Sequence, residues 1–137
     1  MKVLGIYGSP RKGGNTDILL DRVLDGTASA GGEVSRIYVR DMNFSGCTEC
    51  GGCDETGVCT VEDDMQGAYQ KLLDARVIIL ASPVFFLGLS SQVKAFIDRS
   101  QALWRRRMLT KTTMERKSHE GGRGYLVMAA ASLVPEQ

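Results

Sequence analysis

A buried-type strand that empties straight into a glycine loop and then a helix constrains this chain more than any other feature. Val3-Leu4-Gly5-Ile6-Tyr7 is a short apolar run, followed by Gly8–Thr16 (GSPRKGGNT) and then by Leu20, Val23, Leu24 and Thr27 at helical spacing. A strand with no polar alternation is covered on both faces, and such strands belong to parallel sheets flanked by helices. Gly31-Gly32 stops the helix. Val34, Ile37 and Val39 give a second, more polar strand nearer an edge. Met65, Ala68, Tyr69, Leu72 and Leu73 mark an amphipathic helix, and Val77–Ala81 a second fully buried strand. After a loop at Ser82–Leu89, the residues Val93, Phe96, Ile97, Ser100, Leu103 and Trp104 predict one further helix, with Ser90 or Ser91 as its N-cap. Arg105–Arg123 reads as a polar, basic, mobile connection, and Tyr125–Ala129 as a fourth strand.

The order β-α-β-α-β-α-β predicts a doubly wound α/β fold of three layers, one domain over residues 1–137, with a cysteine-rich insertion at about 41–64. The 137 residues suffice for a single core without disulfide staples. In such sheets ligands sit beyond the carboxyl ends of the strands, at the topological switch point. Chemistry is therefore expected on the loops after the first and third strands.

The first of these loops has the properties a phosphate requires. Its glycines let backbone N–H groups converge on an anion, Arg11 and Lys12 supply positive charge, and the loop itself contains no acidic residue. The helix it opens directs first-turn N–H groups and its dipole at the same spot, with Asn15 or Thr16 as candidate cap. A Walker A loop would place Lys and Ser/Thr after its second Gly, whereas Gly13 is followed by Gly14 and Asn15; GxGxxG is also absent. A monophosphate, as on FMN, fits better than a nucleoside triphosphate or a dinucleotide. A Gly/Pro turn that binds nothing is the plain alternative.

All four cysteines, Cys47, Cys50, Cys53 and Cys59, fall within C-x2-C-x2-C-x5-C. The spacing is close to the ferredoxin run, with a longer last gap and no following Pro. Two short gaps let one loop wrap three corners of a cubane, so a single [4Fe–4S] cluster is the leading reading. A four-cysteine zinc site usually separates two knuckles by a dozen or more residues, and disulfides are unfavoured in a reducing compartment. A loop that holds no cluster is the remaining alternative.

GSPRKGGNT after the first strand and ASPVFF after the third resemble the NAD(P)H-dependent FMN reductases of the flavodoxin-like superfold. With the cysteine run added, the sequence is similar to their iron–sulfur flavoprotein branch over about residues 1–132. The resemblance implies that Ser9, Pro10, Arg11, Gly14, Asn15 and Thr16 hold the FMN phosphate. It implies that Ser82, Pro83, Val84, Phe85 and Phe86 border the isoalloxazine; plain core packing is the other reading of the two phenylalanines. It implies a five-stranded sheet in the order 2-1-3-4-5, of which this sequence supplies four strands. Only Leu133–Gln137 follow Tyr125–Ser132. The fifth strand and last helix are therefore expected to be lacking, leaving the fourth strand as an apolar edge unless another chain covers it. Ala131-Ser132 is a candidate third flavin-contacting loop.

The function so implied is an FMN-dependent oxidoreductase or electron-transfer flavoprotein that uses FMN and a [4Fe–4S] cluster. Ferredoxin or NAD(P)H would be the donor, and quinone, oxygen or a peroxide the acceptor. One alternative is an NAD(P)H-dependent FMN or quinone reductase whose cysteine loop is structural; another is a non-catalytic flavodoxin-like binding or assembly module. A homodimer or homotetramer is implied, with Trp104 as a candidate contact.

Charge narrows the partners. The net charge of +1 favours neither nucleic acid nor an anionic membrane. No apolar run approaches the ~20 residues that span a bilayer, and no signal-peptide pattern is present, so a cytoplasmic location is expected. Residues 41–64 carry seven acidic residues and no Lys or Arg, while residues 94–123 carry nine Lys/Arg against three Asp/Glu. The basic stretch of one subunit could face the acidic loop of another, or both could simply be solvated. His119 lies in that basic stretch with no apparent partner and reads as a solvated loop residue.

Overall fold

The computed structural model describes residues 1–110 and 122–130. Among the described residues nine elements follow in order. They are β1 (Lys2–Tyr7), α1 (Asn15–Ser29), β2 (Glu33–Tyr38), a 3-10 turn (Val39–Asp41), α2 (Met65–Asp74), β3 (Val77–Pro83), α3 (Ser91–Arg99), α4 (Gln101–Thr110) and β4 (Arg123–Ala129). The four strands form one parallel sheet in the order β2-β1-β3-β4. These are the first four positions of the expected order, with the two apolar runs as the inner strands.

Strand parity splits the core into two layers. Val3, Tyr7, Val77, Ile79 and Ala81 pack with Leu20 and Leu24 of α1 on one face. Leu4 and Ile6 pack with Met65, Ala68 and Tyr69 of α2, Phe96 of α3 and Ala102 of α4 on the other. A three-layer α/β/α arrangement results. Gly5 lies where α1 comes closest, since a Cβ there would stand 2.5 Å from Leu24 Cδ1.

Three expectations are corrected. Val39 is not in β2: the strand ends at Tyr38, and Val39 opens the 3-10 turn while remaining buried. Apolar spacing alone could not separate a last strand residue from a buried turn residue. The single helix expected from Ser90 to Trp104 is two helices that break at Ser100, whose N–H turns back to the Ile97 carbonyl at 2.9 Å. Arg105–Thr110 is not a mobile connection but the body of α4. The rest of that basic stretch up to residue 121, with His119, lies outside the described residues, as do Ala131-Ser132.

β4 forms one edge of the described sheet. Tyr125, Leu126 and Met128 remain substantially exposed, and a groove of about 660 Å³ lies between α1 and the sheet, lined by Val23, Val77, Ile79, Tyr125 and Val127. Among the described residues no helix is long and apolar enough to cross a membrane.

Candidate functional site

β1 and β3 are neighbours, and the chain winds outward from them in opposite directions, which makes their carboxyl ends the switch point. Two loops meet there. Residues 8–14 leave β1 and residues 84–90 leave β3. Gly8 N–H donates to the Ala81 carbonyl at 2.7 Å, and the Ser90 hydroxyl donates to the Gly8 carbonyl at 2.7 Å. Ser82 Oγ accepts from Ser90 N–H at 3.2 Å, and Ser90 Oγ accepts from Val93 N–H at 3.4 Å. Ser90 is thus the N-cap of α3, as expected, and also the knot that joins both loops. Ser82 and Ser90 are fully buried, so these bonds are shielded from water.

The β1 loop presents donors. α1 begins without a side-chain cap: Gly14 stands at the N-cap, which corrects the expectation for Asn15 or Thr16. Asn15 and Thr16 instead open the helix itself. The first intrahelical bond runs from Ile18 N–H to the Gly14 carbonyl at 3.0 Å, so the N–H groups of Asn15, Thr16 and Asp17 have no partner within the helix. Ser9 and Thr16 are buried, with Ser9 Oγ accepting from Arg11 N–H at 3.1 Å. Pro10, Arg11 and Asn15 are exposed, and Gly14 is half-buried.

Two residues under this loop escaped the sequence reading. Asp17, also buried, accepts from Gly13 N–H at 3.0 Å and pairs with Arg40 at 3.0 Å. Arg40 also donates to the Ser9 carbonyl at 3.2 Å. The carboxylate beneath the loop is neutralised by Arg40, so it does not set a net negative charge under the free N–H groups. The signal in the sequence was Asp17 itself, acidic in the first turn of a helix; its partner 23 residues on was not legible.

The β3 loop is shaped by an unusual turn. Phe85 and Gly88 pair by two backbone bonds of 2.9 and 3.0 Å, and the two residues between them, Phe86 and Leu87, have φ of +45° and +65°. Two consecutive positive φ values define a primed turn, a position usually given to Asn-Gly. Phe86 and Leu87 are fully exposed and Phe85 is about half exposed, so core packing does not explain the phenylalanines. Pro83 and Val84 are half-buried, and Val84 N–H is held by the Ala129 carbonyl at 3.0 Å.

The cysteine loop spans from the 3-10 turn to α2, and Asn43 N–H bonds the Asp64 carboxylate at 2.5 Å across its base. All four cysteines line one cavity of about 300 Å³ together with residues of the α3–α4 junction. Cys47 and Cys50 are exposed; Cys53 and Cys59 are half-buried against the α2–α3 core. Among the described residues no group of three His, Cys, Asp or Glu side chains converges on one metal position. A cubane differs from a single ion in needing its thiolates at separate corners. An all-sulfur donor set around one cavity fits such a cluster. Gly57, at φ +67°, lets the loop lie against α4, where a Cβ would stand 2.5 Å from Arg106 Cα.

The two half-buried thiols are set apart electrostatically. Burial pushes Cys53 up, with Asp54 adding to the effect. Burial would also raise Cys59, but the Val61 N–H, the Tyr69 hydroxyl and the Arg99 guanidinium outweigh it and hold this thiol below the ordinary range. Tyr69 is itself pushed up to about 12, mainly by burial and by the neighbouring sulfur. Arg99 also holds the Asp63 carboxyl below the usual carboxylate range. The opposite charges seen in the sequence thus meet in part within one chain: Arg99 pairs with Asp63 at 2.6 Å, and Arg105 with Asp54 at 2.8 Å.

Comparison with known proteins agrees in kind. The model of the NADPH-dependent FMN reductase family matches residues 1–133. The chain is 43% identical over 103 residues to an iron–sulfur flavoprotein of Methanocaldococcus jannaschii, covering 75% of this chain and 53% of that protein. It is 34% identical over 122 residues to the iron–sulfur flavoprotein of Methanosarcina thermophila, covering 89% and 64%. Among solved structures, one titled flavone reductase superposes with a TM-score of 0.68 at 20% identity, over 96% of this chain and 44% of that one. The chain thus spans about half the length of the curated relatives it matches.

Proposed function

The chain belongs to the NADPH-dependent FMN reductase family, and from that premise we propose that it is an FMN-dependent oxidoreductase of the iron–sulfur flavoprotein type. The observation that carries this reading is the presence, in one chain, of a donor-lined glycine loop knotted to an exposed aromatic turn and of a cavity lined by four thiols. FMN, when bound, supplies the exchange of one or two electrons. The protein supplies the position. The unpartnered N–H groups of Asn15 and Thr16, the Ser9 and Thr16 hydroxyls, Gly14 and the Pro10–Arg11 corner would hold the phosphate. Pro83, Val84, Phe85 and Phe86 would border the ring, with the phenylalanines excluding water from it, while the fully buried Ser82 would support the loop from below through Ser90 N–H. The energy stored in two left-handed side-chain-bearing residues is reasonable where the turn must offer Phe86 to a ligand.

Cys47, Cys50, Cys53 and Cys59 would hold one [4Fe–4S] cluster, whose chemistry when present is one-electron transfer. Ferredoxin or NAD(P)H is the proposed donor and a quinone, oxygen or a peroxide the acceptor, in a reducing, cytoplasmic setting. A homodimer or homotetramer is proposed on the exposed apolar residues of β4 and α4.

A fluorescence titration with FMN and with riboflavin tests the flavin part. FMN should bind at least about tenfold more tightly, since a hydrogen bond to a charged group contributes about 1.5–3 kcal/mol. Equal affinity would remove the phosphate role from residues 9–16. A protein that binds neither would favour an assembly module instead.

A further inference from the structure

Arg99 lies at the end of α3 with its side chain only 2% exposed, an expensive place for a charge unless each of its bonds has a use. One guanidinium nitrogen, Nη1, donates to the Ser45 carbonyl at 2.8 Å and to Asp63 Oδ2 at 2.6 Å. The other, Nη2, donates to Asp63 Oδ1 at 3.0 Å and faces the Cys59 sulfur at 3.5 Å. Ser45 stands two residues before Cys47, and Asp63 four residues after Cys59. A single planar group therefore clasps both ends of the cysteine loop and touches its fourth sulfur. The Tyr69 hydroxyl, from α2, holds the Arg99 carbonyl at 2.9 Å and so fixes the residue from behind.

We propose that Arg99 is the positioning residue of the cysteine cavity: its fork, locked by Asp63, fixes the Cys59 sulfur from helix α3 and places a permanent positive charge against it. The inference rests on the cluster reading above and adds a residue outside the cysteine motif to it. Three consequences follow from the geometry. Cys59 is held by a helix, whereas Cys47 and Cys50 are exposed and are placed only by the loop. A cation beside a ligating sulfur favours the reduced, more negative cluster, so its loss moves the potential in the negative direction. Lysine cannot replace it fully, because a point charge has no fork to span Asp63, Ser45 and Cys59 together.

The test is anaerobic iron–sulfide reconstitution of the full chain and of two variants. Arg99→Lys keeps the charge; Arg99→Gln with Asp63→Asn removes both charges and leaves neither buried alone. Circular dichroism establishes which variants fold, and the readouts are iron and sulfide per chain, the half-life of the iron under a chelator, and the cluster midpoint potential. Arg99 meets the Cys59 sulfur at 3.5 Å whereas Asp63 meets the guanidinium, so the loss of the nearer charge dominates: the double variant should lose iron at least about tenfold faster and titrate at a more negative potential. Arg99→Lys should lose iron faster with a potential near the parent value. Folded variants that keep both parent values would overturn the role of Arg99 while leaving the cluster in place. A parent protein that takes up no iron would overturn the cluster reading and this inference with it.

Discussion

Gly8 joins the loops that follow β1 and β3 because it has no side chain. A Cβ there would stand 2.2 Å from Val93 Cγ2 and 2.8 Å from the Ala81 carbonyl oxygen, and the second of these is backbone that cannot rotate away. Gly8→Ala should therefore cost about 1–3 kcal/mol, the usual range for overpacking, and weaken FMN binding by at least about tenfold as β1 and β3 part. Thermal unfolding and flavin titration measure both; an unchanged melting temperature would mean that the loops are not welded there. The sequence announced Gly8 as the end of a strand, yet the reason for glycine lies in β3 and α3, more than 70 residues away. Asp17, Arg40, Asp63 and Arg99 were hidden for the same reason. Each looks like an ordinary surface charge until its partner, distant in the chain, is folded against it.

At the scale of elements, the strands were the most legible features, since unbroken apolar runs leave few alternatives to a central parallel strand. Helix ends were less so. The apolar spacing passes through Ser100 without interruption, and only the turn at that residue divides α3 from α4. The β3 loop shows the opposite case, in which a local rule is broken for a purpose. Phe86 and Leu87 occupy turn positions suited to Asn-Gly, at a cost on the order of 1–3 kcal/mol each. Replacing them as Phe86→Asn with Leu87→Gly should raise stability by about 1–2 kcal/mol, read by denaturant unfolding. The same change should weaken FMN binding several-fold. A variant that is destabilised, or that binds FMN more tightly, would contradict the account of the turn.

For the whole molecule, the four-stranded order and the three layers follow from the alternation of strand and helix, and the observed sheet matches that expectation strand for strand. What no pattern revealed was how the cysteine loop is secured. Its acidic residues meet arginines of α3 and α4 in the same chain, so part of the charge complementarity that suggested contact between subunits is satisfied internally. The proposed flavin loops and the thiol-lined cavity then lie on one fold, and their joint use is the central claim. Protein purified and reconstituted without oxygen, then analysed for FMN, iron and acid-labile sulfide alongside its visible spectrum, tests that claim most directly. The prediction is about one FMN, four iron and four sulfide per chain, with flavin bands lying over broad absorption that bleaches on reduction. Full FMN without iron would leave an FMN or quinone reductase with a structural cysteine loop and contradict the two-cofactor account.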